Sequence, residues 1–229
     1  MHYFLGLEVS RLPKGIVLSQ HKFTQELLQD AAISTLTPVA TPLPLNCKLT
    51  STEDSSLDDP THYRGLIGKL NFLSHTRPDL SFAVQHLSQF MQTTHTHHLH
   101  ALIHLLRYLK GTAGQGILLK ASDQLTLTAF SDFDWASCPS TRRSITGHAI
   151  LFGSSLISWK SKKQHTVSKS SNEVEYRAMS HATSEITWLV RLLAELGVHS
   201  LKPVTLFCDN QSAMHIARNP VFHKRTKHI

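Results

Sequence analysis

The sequence predicts an α/β chain in two parts: a β-hairpin followed by helices, then a mixed sheet with helices packed on it. Three observations carry this reading. Apolar residues between Tyr63 and Leu109 recur at helical spacing. Between Leu125 and Lys160, strand-like runs meet through short turns. A long amphipathic helix from Ser171 then leads into V-T-L-F-C at Val204–Cys208, a β-α-β arrangement that gives the sheet a parallel pair.

Composition narrows the class. The 229 residues suit one large domain or two small ones, and 41% hydrophobic content supports real cores. Lysine plus arginine number 23 against 16 acids, a net charge of +7 that favours a polyanionic partner. No apolar run approaches the roughly 20 residues of a spanning helix. The amino terminus also lacks the basic region and cleavage site of a signal peptide. Cys47, Cys138 and Cys208 form no C-x-x-C pair, which argues against a zinc site or a disulfide framework. The expectation is a soluble intracellular protein, in cytoplasm or nucleus, that meets nucleic acid and no membrane.

The elements follow in order. Tyr3–Val9 and Gly15–Ser19 read as strands, with Pro13 and Gly15 marking a hairpin turn. Ser19 is placed to cap a short helix, Lys22–Ala31, whose Phe23, Leu27 and Leu28 share a face. Thr35–Asp59 is turn-rich, with Pro38, Pro42 and Pro44 and no periodicity, and is expected to be extended and exposed. Helices are expected at Tyr63–Leu73, Leu80–Met91 and Leu99–Leu109, with Arg77-Pro78-Asp79 as a break and Lys110-Gly111 as a stop. His95, His97, His98, His100 and His104 offer pairs at metal-ligand spacing, but no nearby cysteine or acid completes a set. They are read as a solvated helix start.

Beyond the glycine-containing joint at 113–123, strands are expected at Leu125–Ser131, Ile145–Phe152, Leu156–Lys160 and Val204–Cys208. Helices are expected at Ser171–Leu196 and Gln211–Asn219. A right-handed crossover would bring Asp209 close to the end of the first of these strands.

That first strand runs L-T-L-T-A-F-S-D-F-D-W-A and ends in Asp132 and Asp134, which alternation puts on one face. Carboxylates at the carboxyl end of a strand suit metal or acid/base chemistry, and alternation gives no preference between the two. On the long helix, Glu175, Met179, Ala182, Ile186, Leu189, Leu193 and Leu196 keep the spacing of a buried face. Glu175 therefore points inward, where an unpaired charge is costly. Glu173, about 200° around the helix, is expected to face solvent. Asn210 can cap the last helix, which leaves Asp209 available to a site.

Three clustered carboxylates fit hard cations such as Mg²⁺ or Mn²⁺ rather than zinc. Lys160, Lys162, Lys163 and Lys169 offer phosphate-binding charge, with Arg142, Arg143, Lys224, Arg225 and Lys227 able to add to it. The same lysine run equally suits an ordinary solvated loop.

The strings S-D-F-D-W-A, R-R-S-I-T-G, I-S-W-K-S-K-K-Q, S-S-N-E-V-E-Y-R-A, C-D-N-Q-S-A and N-P-V-F-H-K-R-T-K-H-I occur in that order. Together they resemble the ribonuclease H region of copia-type LTR retrotransposon polyproteins. H-Y-R-G-L-I-G-K-L-N-F-L-S-H-T-R-P-D-L-S-F-A-V and L-R-Y-L-K-G-T resemble the thumb and connection of that family's reverse transcriptase. Y-F-L-G-L-E-V resembles the last hairpin of its palm.

The resemblance implies a reverse transcriptase segment at 1–112, a linker at 113–123 and a ribonuclease H-like domain at 124–229. It implies catalytic and metal-binding roles for Asp132, Glu175 and Asp209, supporting roles for Asp134 and Asn210, and two Mg²⁺ or Mn²⁺ ions. The partners it implies are an RNA–DNA hybrid and the remainder of the polyprotein. The family's polymerase turn, Tyr/Phe-Val-Asp-Asp, is not in this sequence, so no nucleotide incorporation is expected. The family's fifth strand and fourth acid lie past K-H-I, so the ribonuclease H-like sheet is expected to be incomplete. A non-catalytic nucleic-acid-binding remnant is the alternative reading.

Overall fold

In a computed structural model, residues 3–45, 47, 49–50 and 55–219 are described. The chain forms two compact units, Met1–Leu119 and Lys120–Ile229.

In the first unit, β1 (Tyr3–Phe4), β2 (Leu7–Leu12) and β3 (Gly15–Ser19) lead into α1 (His21–Asp30). They are followed by α2 (Thr61–Leu73), a 3₁₀ turn at Pro78–Leu80, α3 (Ser81–Ser88), α4 (Thr96–Gly111) and β4 (Gly116–Lys120). The sheet order is β1-β2-β3-β4. The expected first strand is interrupted, because Leu5 and Gly6 take positive φ angles of 50° and 83° and reverse the chain. The expected joint at 113–123 contains β4, and the two units divide at that strand's end. A side chain on Gly116 would collide with the Leu18 carbonyl of β3, so only glycine fits there.

Helical periodicity accounts for the core. Leu66, Ile67, Leu70 and Leu73 of α2 pack with Leu87 of α3 and Leu105 of α4. The Tyr63 hydroxyl donates to the Leu87 carbonyl at 2.8 Å, which lets a buried phenol sit among leucines.

Three expectations for this unit are corrected, each through a polar contact between distant positions. Ser19 does not cap α1. Glu8 of β2 accepts both the Lys22 amide (2.7 Å) and the Ser19 hydroxyl (3.4 Å), since a carboxylate outcompetes a hydroxyl at a positive helix terminus.

The turn-rich stretch after α1 is not a free linker, because its carbonyls are stitched to α4. Arg107 Nε donates to Thr37 (2.7 Å), Lys110 Nζ to Ser34 and Leu36 (2.6 and 2.9 Å), and His104 Nε2 meets Thr41 (3.0 Å). Leu49 is buried.

The histidines form no solvated start. His95 and His98 make a reciprocal capping box, His98 stacks on Phe90 at 3.9 Å, and the His97 and His98 Nε2 atoms both meet the Thr50 carbonyl at 2.9 Å.

In the second unit, β5 (Leu127–Asp134), β6 (Ile145–Phe152) and β7 (Ser155–Lys163) precede α5 (Ser171–Glu195), β8 (Thr205–Phe207) and α6 (Gln211–Arg218). The order β7-β6-β5-β8 is a mixed sheet, antiparallel across β7, β6 and β5 and parallel between β5 and β8. Helix α5 packs Ile186 and Leu189 on Leu127, Ala129 and Ile150. The inward stripe passes through Ala178 rather than Met179, and Leu196 lies outside the helix and is exposed. No helix among the described residues is long and apolar enough to cross a membrane.

His98 gives the first unit a pH dependence. Burial, with the charges of neighbouring His97 and His95, holds its pKa down at about 4, against 6.5 unperturbed. The folded value is depressed, so the stabilisation is present above pH 6.5 and is lost as pH falls toward 4, on the order of 3 kcal/mol. The His98 ring should stay neutral in NMR titrations at pH 5.5, and the first unit's unfolding midpoint should drop over that window. A ring titrating at the ordinary histidine value would contradict this.

Candidate functional site

Parallel pairing of β8 with β5 sets up the acid site. Thr128 pairs with Thr205 and Phe130 with Phe207, so the pairing ends two residues before Asp132 on β5 and two before Asp209 after β8. Alternation along β5 buries Leu127, Ala129 and Ser131 and turns Asp132 and Asp134 outward to solvent. Asp209 is also exposed.

Glu175 is different: it lies in the first turns of α5 and is fully buried. Neither of its oxygens accepts a hydrogen bond of normal geometry among the described residues. Burial raises its pKa, as do the negative charges of Asp209 and Asp132, while the nearby Cys208 thiol partly offsets the rise. The same contact and burial push the Cys208 thiol up to about 11. The three acids singled out in the sequence therefore lie within electrostatic reach of one another. Among the described residues, however, no three histidine, cysteine or acidic side chains are spaced to hold one ion as they stand.

Asn210 fixes the local frame. Its side chain caps α6 by accepting the Ala213 amide (3.0 Å), and its amide donates to Asn172 Oδ1 in the first turn of α5 (3.1 Å). One residue thus ties the start of α6 to the start of α5, on either side of Asp209 and Glu175. Asp134 closes β5 opposite Ile145 and is exposed.

Glu173 does not face solvent as expected: it is 3% exposed. Its carboxylate accepts the Lys169 amide (2.8 Å) and pairs with Arg177 (2.8 Å), while Ser170 caps its own amide (3.3 Å). The chain before α5 curls back over the first turn, so the residue on the helix's outer side is covered by its own entry loop.

The basic residues divide between two places. Lys160 and Lys162 share a face of β7 and line a cleft of about 500 Å³ against α5. Lys163 also lines the cleft, and its ammonium donates to Cys138 Sγ at 2.8 Å. Burial alone would raise that thiol, but Lys163 and the Thr141 and Ser140 hydroxyls pull it down to about 6. Arg142 and Arg143 belong to the same loop, where the Cys138 amide donates to the Arg143 carbonyl (3.1 Å) and the Arg142 amide to the Cys138 carbonyl (2.8 Å). Lys169 is exposed at the approach to α5. Lys224, Arg225 and Lys227 lie outside the described residues. The sequence reading did not single out Gln164 and Arg177 in the cleft wall: both stand within quoted strings, I-S-W-K-S-K-K-Q and S-S-N-E-V-E-Y-R-A, but nothing along the chain shows that folding brings them to one cleft.

The chain is 46% identical over its full length to the retrovirus-related Pol polyprotein from transposon RE2 of Arabidopsis thaliana, spanning 16% of that protein. It is 35% identical over 98% of its length to the retrovirus-related Pol polyprotein from transposon TNT 1-94 of Nicotiana tabacum, spanning 18% of it. It also matches an uncharacterized mitochondrial protein of Arabidopsis thaliana at 41% identity, over 82% of this chain and 78% of that one. No family model matches, and no solved structure matches.

Glu175 and Glu173 should respond oppositely to neutralisation. A carboxyl whose folded pKa is raised loses stability as pH climbs through the unfolded value, because only the unfolded chain ionises freely. Glu175→Gln should therefore raise the metal-free unfolding midpoint at pH 7. Glu173→Gln should lower stability by about 1–2 kcal/mol through loss of its cap and charge pairing. Thermal denaturation of the two variants checks both signs, and equal effects would refute the distinction.

Proposed function

Because the chain belongs to the copia-type retrotransposon Pol polyprotein family, we propose that its second unit is a ribonuclease H-like domain that cuts the RNA strand of RNA–DNA hybrids. On this reading its first unit is the thumb and connection segment of the reverse transcriptase. The observation that carries the proposal is the buried carboxylate of Glu175, which has only the weak Cys208 thiol beside it among the described residues and lies under the charges of Asp209 and Asp132. An uncompensated buried acid is costly, and such acids cluster where a cation or proton transfer uses them.

The residues fit a hard divalent cation in the chemistry of the donor set, which is carboxylate oxygen with one member buried and short of strong partners among the described residues. Asp132, Glu175 and Asp209 would hold it. When bound, Mg²⁺ or Mn²⁺ supplies the charge that activates a water and stabilises the leaving 3′ oxygen of a phosphodiester. A bound cation would favour the ionised form of Glu175, whose pKa is raised by burial and by the charges of Asp209 and Asp132. Asn210 holds the two helix starts so that Asp209 and Glu175 keep their separation. Lys160, Lys162 and Lys169 supply phosphate-binding charge, and 2′-hydroxyls across the wide minor groove of the hybrid mark the RNA strand.

The wide spacing of the acids favours a second reading, a nucleic-acid-binding unit without turnover. Added Mg²⁺ or Mn²⁺ distinguishes the two. It should raise the unfolding midpoint by mass action, and Asp132→Asn or Asp209→Asn should abolish that shift. A hybrid with a labelled RNA strand should be cut only with metal and not by either variant. Metal-independent stability together with hybrid binding would leave the second reading standing. Affinity for the hybrid should fall with salt at a log–log slope of about −0.9 per phosphate contacted. A flat salt dependence would remove the basic residues from the interface.

A further inference from the structure

The cleft between α5 and the β6–β7 edge contains donors that the acid site does not use. We propose that it binds a phosphate group, held by the Lys160 and Lys162 ammonium groups together with Gln164 Nε2 and Arg177 Nε. The latter two atoms are buried in the cleft wall and have no acceptor among the described residues.

Each side chain is otherwise anchored. Gln164 Oε1 accepts the Ser168 hydroxyl at 3.1 Å, which fixes the amide so that its nitrogen is the free end. Arg177 spends its terminal nitrogens on Thr166 and on Glu173, leaving Nε over. A buried donor without an acceptor costs roughly 1–3 kcal/mol, which a ligand oxygen would recover. Both atoms are covered, so binding includes their turning toward the ligand.

Charge favours an anion. Arg177 is balanced by Glu173, and Lys163 is directed at Cys138. Lys160 and Lys162 remain exposed in the cleft. The one acid in the lining, Glu185, already accepts the Ser158 hydroxyl at 2.9 Å.

Geometry favours phosphate over a carboxylate. The donors come from β7, from the loop after it and from α5. A tetrahedral group with several acceptor oxygens can meet donors from three elements, whereas a planar carboxylate is best served by a coplanar pair. The phosphate is either free or part of a nucleic-acid strand, and only the second source rests on the proposed function.

The test is NMR of the full chain, following the Arg177 Nε–H and Gln164 side-chain amide signals. Inorganic phosphate is titrated first, then a short RNA–DNA hybrid. Both signals should move with phosphate and, if a strand supplies it, with the hybrid. Gln164→Glu keeps the acceptor for Ser168 but replaces the donor by a negative charge, and should weaken binding at least tenfold. Arg177→Lys keeps the charge but removes Nε–H, and should weaken it several-fold. The unfolding midpoint of each variant without phosphate verifies that it folds. Movement with phosphate but not with hybrid supports the site and removes the strand as its source. Hybrid binding that leaves both signals in place, with no response to phosphate, overturns the site without touching the proposed function. Unchanged phosphate affinity in both folded variants overturns it as well.

Discussion

The second unit depends on how α5 lies on the sheet. Ile186 and Leu189 must bury against Leu127, Ala129 and Ile150, and that packing fixes the rotation of a rigid 25-residue helix along its whole length. Apolar burial of about 25 cal/mol per Å², summed over this stripe, outweighs the cost of placing one carboxylate on the same line. Glu175 is buried because the residues about three and four turns further on are apolar. The parallel β5–β8 pairing then brings Asp209 to the same end of the sheet, and Asn210 ties the two helix starts together across it. The perturbed acid is thus a consequence of packing remote from it.

A different kind of constraint holds the first unit. Its core is a cluster of leucines and isoleucines whose periodicity is plain in the chain, but the segment between α1 and α2 follows no period. It is held through its carbonyls, by side chains of α4 that reach outward: Arg107, His104, His98 and Lys110. A carbonyl is the same on every residue, so nothing in the segment's composition marks which ones are used. The histidine group belongs to this stitching, and its ring nitrogens serve as cap and donor.

Folding reorganises the basic residues. Lys160, Lys162 and Lys163 all line the cleft, yet only the third spends its ammonium on Cys138. The cleft wall is completed by Gln164 and Arg177, which come from a loop and a helix.

The sequence by itself determined the periodic elements and the approximate place of the acids. Ile145–Phe152 and Gly15–Ser19 are strands with the bounds expected of them, and α5 begins at Ser171 as its cap and period require. Glu175 was legible as inward-pointing because apolar spacing is a local property that survives folding. The family's strings marked Asp132 over Asp134, which alternation could not separate. Tertiary structure alone decided what covers each polar group. Glu173 was expected in solvent because helix rotation is all that the sequence shows, but the entry loop folds back and buries it with Arg177. Glu8 caps α1 from a neighbouring strand, and Thr50 takes two histidines from α4. Hydrophobic burial follows patterns that repeat along the chain. A hydrogen bond joins one atom to another wherever folding brings them together, and that meeting exists only in the folded chain.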